Sequence, residues 1–445
     1  MSDRAPVAMS ATLAADEELT RRRAAGEQVL SLAGGEIGLP VLPVLAERLA
    51  AAAGRNAYGP VTGDRAMRAA AAGYWGRRGL PTDPDLVVCG PGSKPLLFAL
   101  MLAIGGDVVV PVPSWVSYGA QAALAGGRAL PVAVRPGEGG VPDPDALVRA
   151  VARARAAGRD PRCVVVTLPD NPSGTVAPAA TVRRLAEAAR ELDLVVVSDE
   201  IYCDLVFDPA DRAVSPAVFA PERTVVTTGL TKNLALGGWR TGVARLPDSD
   251  LGRRLHAGLA GVASQIWSST VAPVQTAAAY AFEEPPEVVA RVAASLRLHE
   301  VVVRAVARQF VAAGAELQPV RATCYLYPDF EPLRQRLARV HAVRGSEELA
   351  RLLSRRYGVG VLPATAFGEP EGPLRIRAAT GRLYGESDAE RDIALTAAAP
   401  LSLPWISASL DRVAEVLGDL SGRPVPDAAA LGGVRRIGAG HQTAH

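Results

Sequence analysis

The chain has 445 residues, 49% of them hydrophobic and 21% charged, and a formal net charge of +2. That length is more than one simple core supports, so two domains are expected. The near-neutral charge, with arginines and acids interspersed, gives no electrostatic footprint for nucleic acid, and no apolar run reads as a membrane span.

Residues 1–30 are polar and Ala-rich, reading as a loose arm plus one helix, with no apolar core of signal-peptide length. From about residue 45 the pattern alternates. "AMRAAAAGYWGRRG" is helical, "LVVCG" is a short apolar run before a Gly-rich turn, and "KPLLFALMLAI" is a helix. "DVVVPVP", "PRCVVVTLPDNP", "LDLVVVSDEIY" and "RTVVTTGLTK" follow as Val-rich strands. Continuous Val-rich runs between helices indicate parallel strands covered on both faces, a βαβ architecture. After about residue 286 a long helix, "EVVARVAASLRLHEVVVRAVARQFVAAG", leads into the short strands "CYLYPDF", "GVGVLPA" and "PLRIRAA". This predicts a smaller α+β domain. The expected division is an arm and start of the small domain at 1–44, a large domain at 45–285, a small domain at 286–424 and a disordered tail at 425–445. A stretch at about 385–404 follows "RIR" and either covers a site or decorates the surface.

The distinctive residues lie just after the Val-rich strands, where α/β sheets place ligands. Only Lys94 and Lys232 are lysine, against 46 arginines. In such a composition a lysine is either a chance survivor or a place where an amine is needed, since an amine forms imines and shuttles protons and a guanidinium does not. "CGPGSKPLL" puts glycines at a strand end with a helix starting near Ser93, suited to a phosphate or to a plain turn. Asn171 and Asp199 stand at the next strand ends, Tyr202 three residues on, although a helix cap accounts for Asp199 equally well in isolation. Thr231, Lys232 and Arg240 follow a fourth strand. Together these parts suit pyridoxal 5'-phosphate, which needs an amine for its aldehyde, an acid for its ring nitrogen, donors for its phenolic oxygen and an anion site for its phosphate. The cysteines Cys89, Cys163, Cys203 and Cys324 form no C-x-x-C, and the histidines His256, His299 and His341 are widely spaced. No metal site is expected, and a reducing cytoplasmic setting is.

Seven segments occur in order between about residues 30 and 380: "YGPVTGDRAMRAAAAGYW", "GSK", "PVPSWVSY", "DNPSGTV", "SDEIY", "TKNLALGGWRTG" and "PATAFGEPEGPLRIRAAT". On these the chain resembles the fold type I pyridoxal-phosphate enzymes of the class I/II aminotransferase family. The resemblance implies an aspartate-aminotransferase-like α/β fold, a large domain with a mostly parallel sheet covered by helices plus a smaller α+β domain. It further implies that Lys232 forms the imine with the cofactor and moves the substrate proton, and that Asp199 keeps the ring nitrogen protonated. Asn171 and Tyr202 bond the phenolic oxygen. Trp115 stacks on the ring, with Tyr118 as its substitute. Gly92, Ser93, Thr231 and Arg240 hold the phosphate, and Lys94 is a further phosphate contact or a surface charge. Tyr58 reaches the phosphate of a second subunit, which implies a homodimer with shared sites. Arg375 clamps the substrate α-carboxylate, and Gly35 lies where the N-terminal segment passes over the substrate beside Asn171.

Three departures stand out. Relatives often have Ser three residues before the lysine, where this chain has Gly229, so Thr228 or Thr231 is expected to compensate. Ala364 replaces a glycine common in P-G-x-x-F-G. Arg377, two residues from Arg375, is assigned to a surface acid by strand twist, against the reading of a second anion-binding handle. The implied activity is transfer of an amino group from an L-amino acid to a 2-keto acid. The alternative is a lyase or cyclase doing elimination or γ-replacement on the same scaffold.

Overall fold

The computed structural model describes residues 8–432. In chain order the strands are β1 Leu30–Ser31, β2 Val87–Gly90, β3 Asp107–Val112, β4 Ala129–Ala133, β5 Pro161–Thr167, β6 Val195–Asp199, β7 Thr224–Gly229, β8 Gly242–Arg245, β9 Tyr325–Leu326, β10 Val359–Gly360, β11 Leu362–Pro363 and β12 Ile376–Ala379. Seven form one sheet in the order β2-β8-β7-β6-β5-β3-β4. The β7–β6–β5–β3–β4 run is parallel, and β8 runs antiparallel to both its neighbours.

The Val-rich runs are doubly buried because successive side chains point to opposite faces. Val108 and Val110 pack on one side with helices Ser93–Ile104 and Asp250–Ile266, while Val109 packs on the other with Pro144–Ala156 and Ala179–Glu191. Cys163 and Val165 alternate with Val164 and Val166 in the same way, as do Val195 and Val197 with Val196. Each such buried Val contributes about 1.5–3 kcal/mol by leaving water.

The second core gathers around the helix Pro286–Ala313, the antiparallel sheet β11-β12-β9 and the helix Pro404–Ser421. Leu32, Ile37 and Leu39 from the N-terminal segment pack into it. Tyr202 and Leu205 from beyond β6 join it too, so this core backs directly onto the end of the large sheet.

One expectation is corrected and one open alternative is narrowed. The last segment is not all tail: Ala428 and Leu431 are buried against the small-domain core, because the helix Ala428–Gly432 offers it two apolar side chains. Residues 433–445 lie outside the described residues. The 385–404 stretch forms the helix Asp388–Thr396, whose Ser387–Glu390 pair is a reciprocal capping box, and a turn at Pro400–Ser402. Residues 398–402 line a groove against the helix Pro286–Ala313, and none of 385–404 lines the cavity described below.

Candidate active site

A cavity of about 560 Å³ opens at the carboxyl ends of β5, β6 and β7. Helix Ser93–Ile104 supplies its N-terminus to one end, helix Ala11–Ala24 lines one side, and Tyr325 and Arg377 enter from the small domain. Thr167 and Asp199 are the paired last residues of β5 and β6. The parallel register thus places one polar group per strand end along the same rim.

One end is built for an anion. Gly92 has φ of +99°, and a Cβ there would lie 2.4 Å from Arg240 Nη2, so the guanidinium sits directly over the glycine at the helix start. Arg240 itself is left-handed (φ +50°) and donates Nη1 to the Gly237 carbonyl at 2.8 Å. Ser93, Thr231 and Lys94 line the same end. Free helix N–H groups, a guanidinium and hydroxyls are the donor set of a phosphate site. Gly229 answers the first departure: a Cβ there would meet the Thr241 carbonyl at 2.7 Å, so no serine fits. Thr228 is spent on the Glu200 carbonyl at 3.3 Å, and Thr231 is the hydroxyl that faces the cavity. Burial, then Arg240 and Lys232, push the Lys94 ammonium below its usual value; its Nζ lies 5.1 Å from the Trp115 ring centroid.

Asp199 forms the floor. It is buried at the end of β6, accepts from Tyr118 Oη at 2.9 Å and from Thr227 Oγ1 at 3.4 Å, and has no salt-bridge partner among the described residues. Burial pushes its carboxyl up to about 6, with the Tyr118 hydrogen bond acting against the rise. A buried carboxylate without a counter-ion suits a protonated ring nitrogen. Tyr118 is therefore not a substitute stacking residue: it is fully buried, its ring edge-on to Trp115 at 5.2 Å, and its hydroxyl is committed to Asp199 and Thr167. Trp115 keeps a face toward the cavity it lines.

Lys232 stands between these ends. Lys232 Nζ donates to the Gly35 carbonyl, which also accepts from Tyr325 Oη at 3.2 Å. Tyr325 Oη lies 3.0 Å from Tyr202 Oη, and Asn171 Nδ2 donates to Tyr202 Oη at 3.5 Å. Asn171, Tyr202, Lys232 and Gly35 thus share one network, joined by Tyr325, which the sequence did not single out. Tyr325 sits in the apolar strand run "CYLY", where nothing distinguishes it from core.

Of the two arginines, Arg377 and not Arg375 lines the cavity. Arg375 is drawn out to Asp329 Oδ2 at 2.7 Å and Glu369 Oε2 at 3.0 Å and does not line the cavity. It precedes the regular ladder of β12, where carboxylates flank it, and so is not free for a substrate. Arg377 is 1% exposed, lines the cavity, and donates to Asn171 Oδ1 at 3.3 Å and to the Ala33 carbonyl. Its guanidinium carbon lies 4.9 Å from the Tyr325 ring and 5.3 Å from that of Phe367, and its Nε has no partner among the described residues. The assignment of Arg377 to a surface acid is therefore reversed. Tyr58, 90% exposed, takes no part in lining the cavity of its own chain. The Ala364 turn, Ala364–Phe367, does not line it either.

The sequence model of the family described as "Aminotransferase class I and II" matches residues 27–383. A probable aspartate/prephenate aminotransferase of Thermus aquaticus is 36% identical over 270 residues, 59% of this chain and 66% of that relative's length. An arginine–pyruvate transaminase of Pseudomonas aeruginosa is 32% identical over 389 residues, 84% of this chain and 91% of the relative. The solved structure of aspartate aminotransferase from Thermus thermophilus with maleate superposes with a TM-score of 0.75 at 29% identity, covering 87% of this chain and 96% of that one.

Proposed function

Because the chain belongs to the aminotransferase class I and II family, we propose that it moves an amino group from an L-amino acid to a 2-keto acid, with pyridoxal 5'-phosphate held in this cavity. The observation that carries the reading is the convergence of Lys232, Asp199 and Arg377 on one cavity with an anion cradle at its end. When bound, the cofactor supplies an aldehyde for the amine and a ring that takes up the electron pair left when the donor loses its α-proton. The chain's residues do the rest. The N-terminus at Ser93, with Thr231 and Arg240, holds the phosphate. Asp199 keeps a proton on the ring nitrogen, and Tyr118 keeps Asp199 in place. Tyr202 Oη and Asn171 Nδ2 donate toward the phenolic oxygen. Lys232 Nζ takes the proton from the donor α-carbon and would hold it for return to the carbon on the other side of the donor nitrogen. Arg377 binds the donor carboxylate through donors that are already buried and oriented, so little is lost to ordering on binding.

The site is completed by a second copy of the chain in this reading. Tyr58 is a tyrosine 90% exposed in a motif the family places at the partner's phosphate, with Ile266 (63%) and Val271 (57%) also exposed. No helix among the described residues is long and apolar enough to cross a membrane. The four cysteines are free, which supports a reducing cytoplasmic setting.

The test is the visible spectrum of the purified protein loaded with cofactor. Transamination expects an amino acid to bleach the cofactor band and a 2-keto acid to restore it without ammonia release. Ammonia or a cyclised product, with the band returning unaided, transfers the assignment to the lyase or cyclase alternative.

A further inference from the structure

Helix Ala11–Ala24 places Thr12 and Asp16 one turn apart, on one face, in the cavity wall. Thr12 Oγ1 and Asp16 Oδ1 are both buried, and neither has a hydrogen-bond partner among the described residues. The Asp16 side chain is 19% exposed, and its nearest cation, Arg382, holds Nη2 3.7 Å from Oδ2 while bonding Glu36 more closely. Burial raises the Asp16 carboxyl above its ordinary value, with Arg382 acting against it. The carboxylate lies against Gly34, where a Cβ would sit 2.6 Å from Oδ1. At the next residue, Gly35, a Cβ would lie 3.8 Å from Lys232 Nζ. Asp16 therefore borders the same short glycine segment as the reacting amine.

The charges of the cavity wall can be matched in turn on the transamination reading. Arg240 and Lys94 oppose the phosphate, Asp199 the ring nitrogen, Arg377 the donor carboxylate, and Glu36 is held by Arg382. Asp16 is the charged residue left over. A neutral or acidic side chain placed there leaves a largely buried carboxylate with only the shared Arg382, 3.7 Å away, for a partner, whereas an N–H-rich cation satisfies it and Thr12 together.

Resting on that reading, we propose that Asp16, assisted by Thr12, determines specificity by pairing with a cationic end, an ammonium or a guanidinium, on the side chain of the donor amino acid.

The experiment compares donors of one shape and different charge on the loaded enzyme. L-Arginine is set against L-citrulline and L-lysine against L-norleucine, with L-leucine and L-aspartate alongside, following the cofactor band in single turnovers. The expected preference for the charged member of each pair is about ten- to a hundredfold in kcat/KM. D16N is expected to bring the arginine-to-citrulline ratio near one by lowering arginine, with citrulline little changed, and D16K to gain L-glutamate at the expense of L-arginine. A readout independent of turnover is calorimetric binding of L-arginine and L-citrulline to the Lys232→Ala protein, where the same preference must appear and must vanish on adding D16N. Equal handling of arginine and citrulline by the unaltered enzyme overturns the role of Asp16 whether or not the variants fold. Conversion of L-leucine or L-aspartate would then leave transamination standing. If no donor changes the band, transamination falls and this inference with it.

Discussion

At Arg377 the guanidinium has exchanged water for two aromatic faces and two oxygens, one of them on Asn171, which also donates to Tyr202. A substrate carboxylate bound there gains charge-assisted hydrogen bonds in a dry setting, worth about 1.5–3 kcal/mol each. Arg377→Ala is expected to lower kcat/KM about a hundredfold, mostly through KM for both amino and keto acid. Arg377→Lys recovers little, since an ammonium does not replace a planar fork. Arg375→Ala breaks two ion pairs, one of them to the buried Glu369, and is expected to cost about 1–3 kcal/mol of stability with kcat/KM nearly unchanged. Steady-state kinetics of the three variants decide it, and a larger loss from the Arg375 variant would return the carboxylate site to that residue. Tyr118→Phe tests the floor. Asp199 then loses its 2.9 Å donor, and cofactor affinity is expected to fall about tenfold, read by spectroscopic titration of apoenzyme. Unchanged affinity would make the tyrosine a packing residue only.

The site's precision comes from where elements stop. β2 ends at Gly90 opposite Gly242, the first residue of β8, and this pairing seats the N-terminus of helix Ser93–Ile104. A Cβ at Gly242 would lie 2.5 Å from both Gly92 C and Ser93 N, which are backbone atoms with nowhere to go. Gly242→Ala is therefore expected to destabilise the fold by about 1–3 kcal/mol and to weaken the phosphate end. Thermal unfolding and cofactor titration measure the two effects, and an unshifted cofactor affinity would detach β8 from the site. The same region shows what a sequence reveals. Val-rich strands with Asp199 at the end, or Asn171 and Lys232 a few residues beyond it, were legible because burial on both faces leaves a continuous apolar run that stops close to the polar residue. β8 was not, since "GVAR" is four residues with no distinctive flank, and neither was β4, a half-exposed edge strand containing Pro131. The Arg375–Arg377 choice was likewise illegible: spacing gives a shared face, but acids distant in sequence, Asp329 and Glu369, decide which arginine is free. Tyr325 and Asp16 carry no local signal, because their roles arise from contact between domains.

Across the whole molecule, three carboxyls lie buried near adjoining strand ends. Burial is the first cause of the rise in each, to about 7 for Asp170, about 6 for Asp199 and about 7 for Glu200, from ordinary values of 3.8, 3.8 and 4.5. The folded state therefore holds more protons than the unfolded chain between those values. The stability these groups contribute is fully present below pH 4 or so and is lost as pH rises through about 6 to 7. Cofactor binding changes one of the three. A protonated ring nitrogen opposite Asp199 favours its ionised form, while Asp170 remains bonded to Ser173 and Glu200 to Ser198. For Asp199 the shift corresponds to roughly 3 kcal/mol between the two protonation states. The stabilisation conferred by cofactor is thus expected to grow as pH rises from 5 to 7, with apoenzyme declining more steeply than holoenzyme. The cofactor phosphate also titrates near pH 6, so the decisive comparison is with Asp199→Asn, in which the phosphate contribution persists and the carboxyl contribution does not. Calorimetric unfolding of both proteins, with and without cofactor, at pH 5, 6, 7 and 8 makes the measurement. A steeper widening of the gap in the unaltered protein than in the Asn variant assigns it to Asp199, and parallel curves would show that the carboxyl is already ionised before the cofactor arrives.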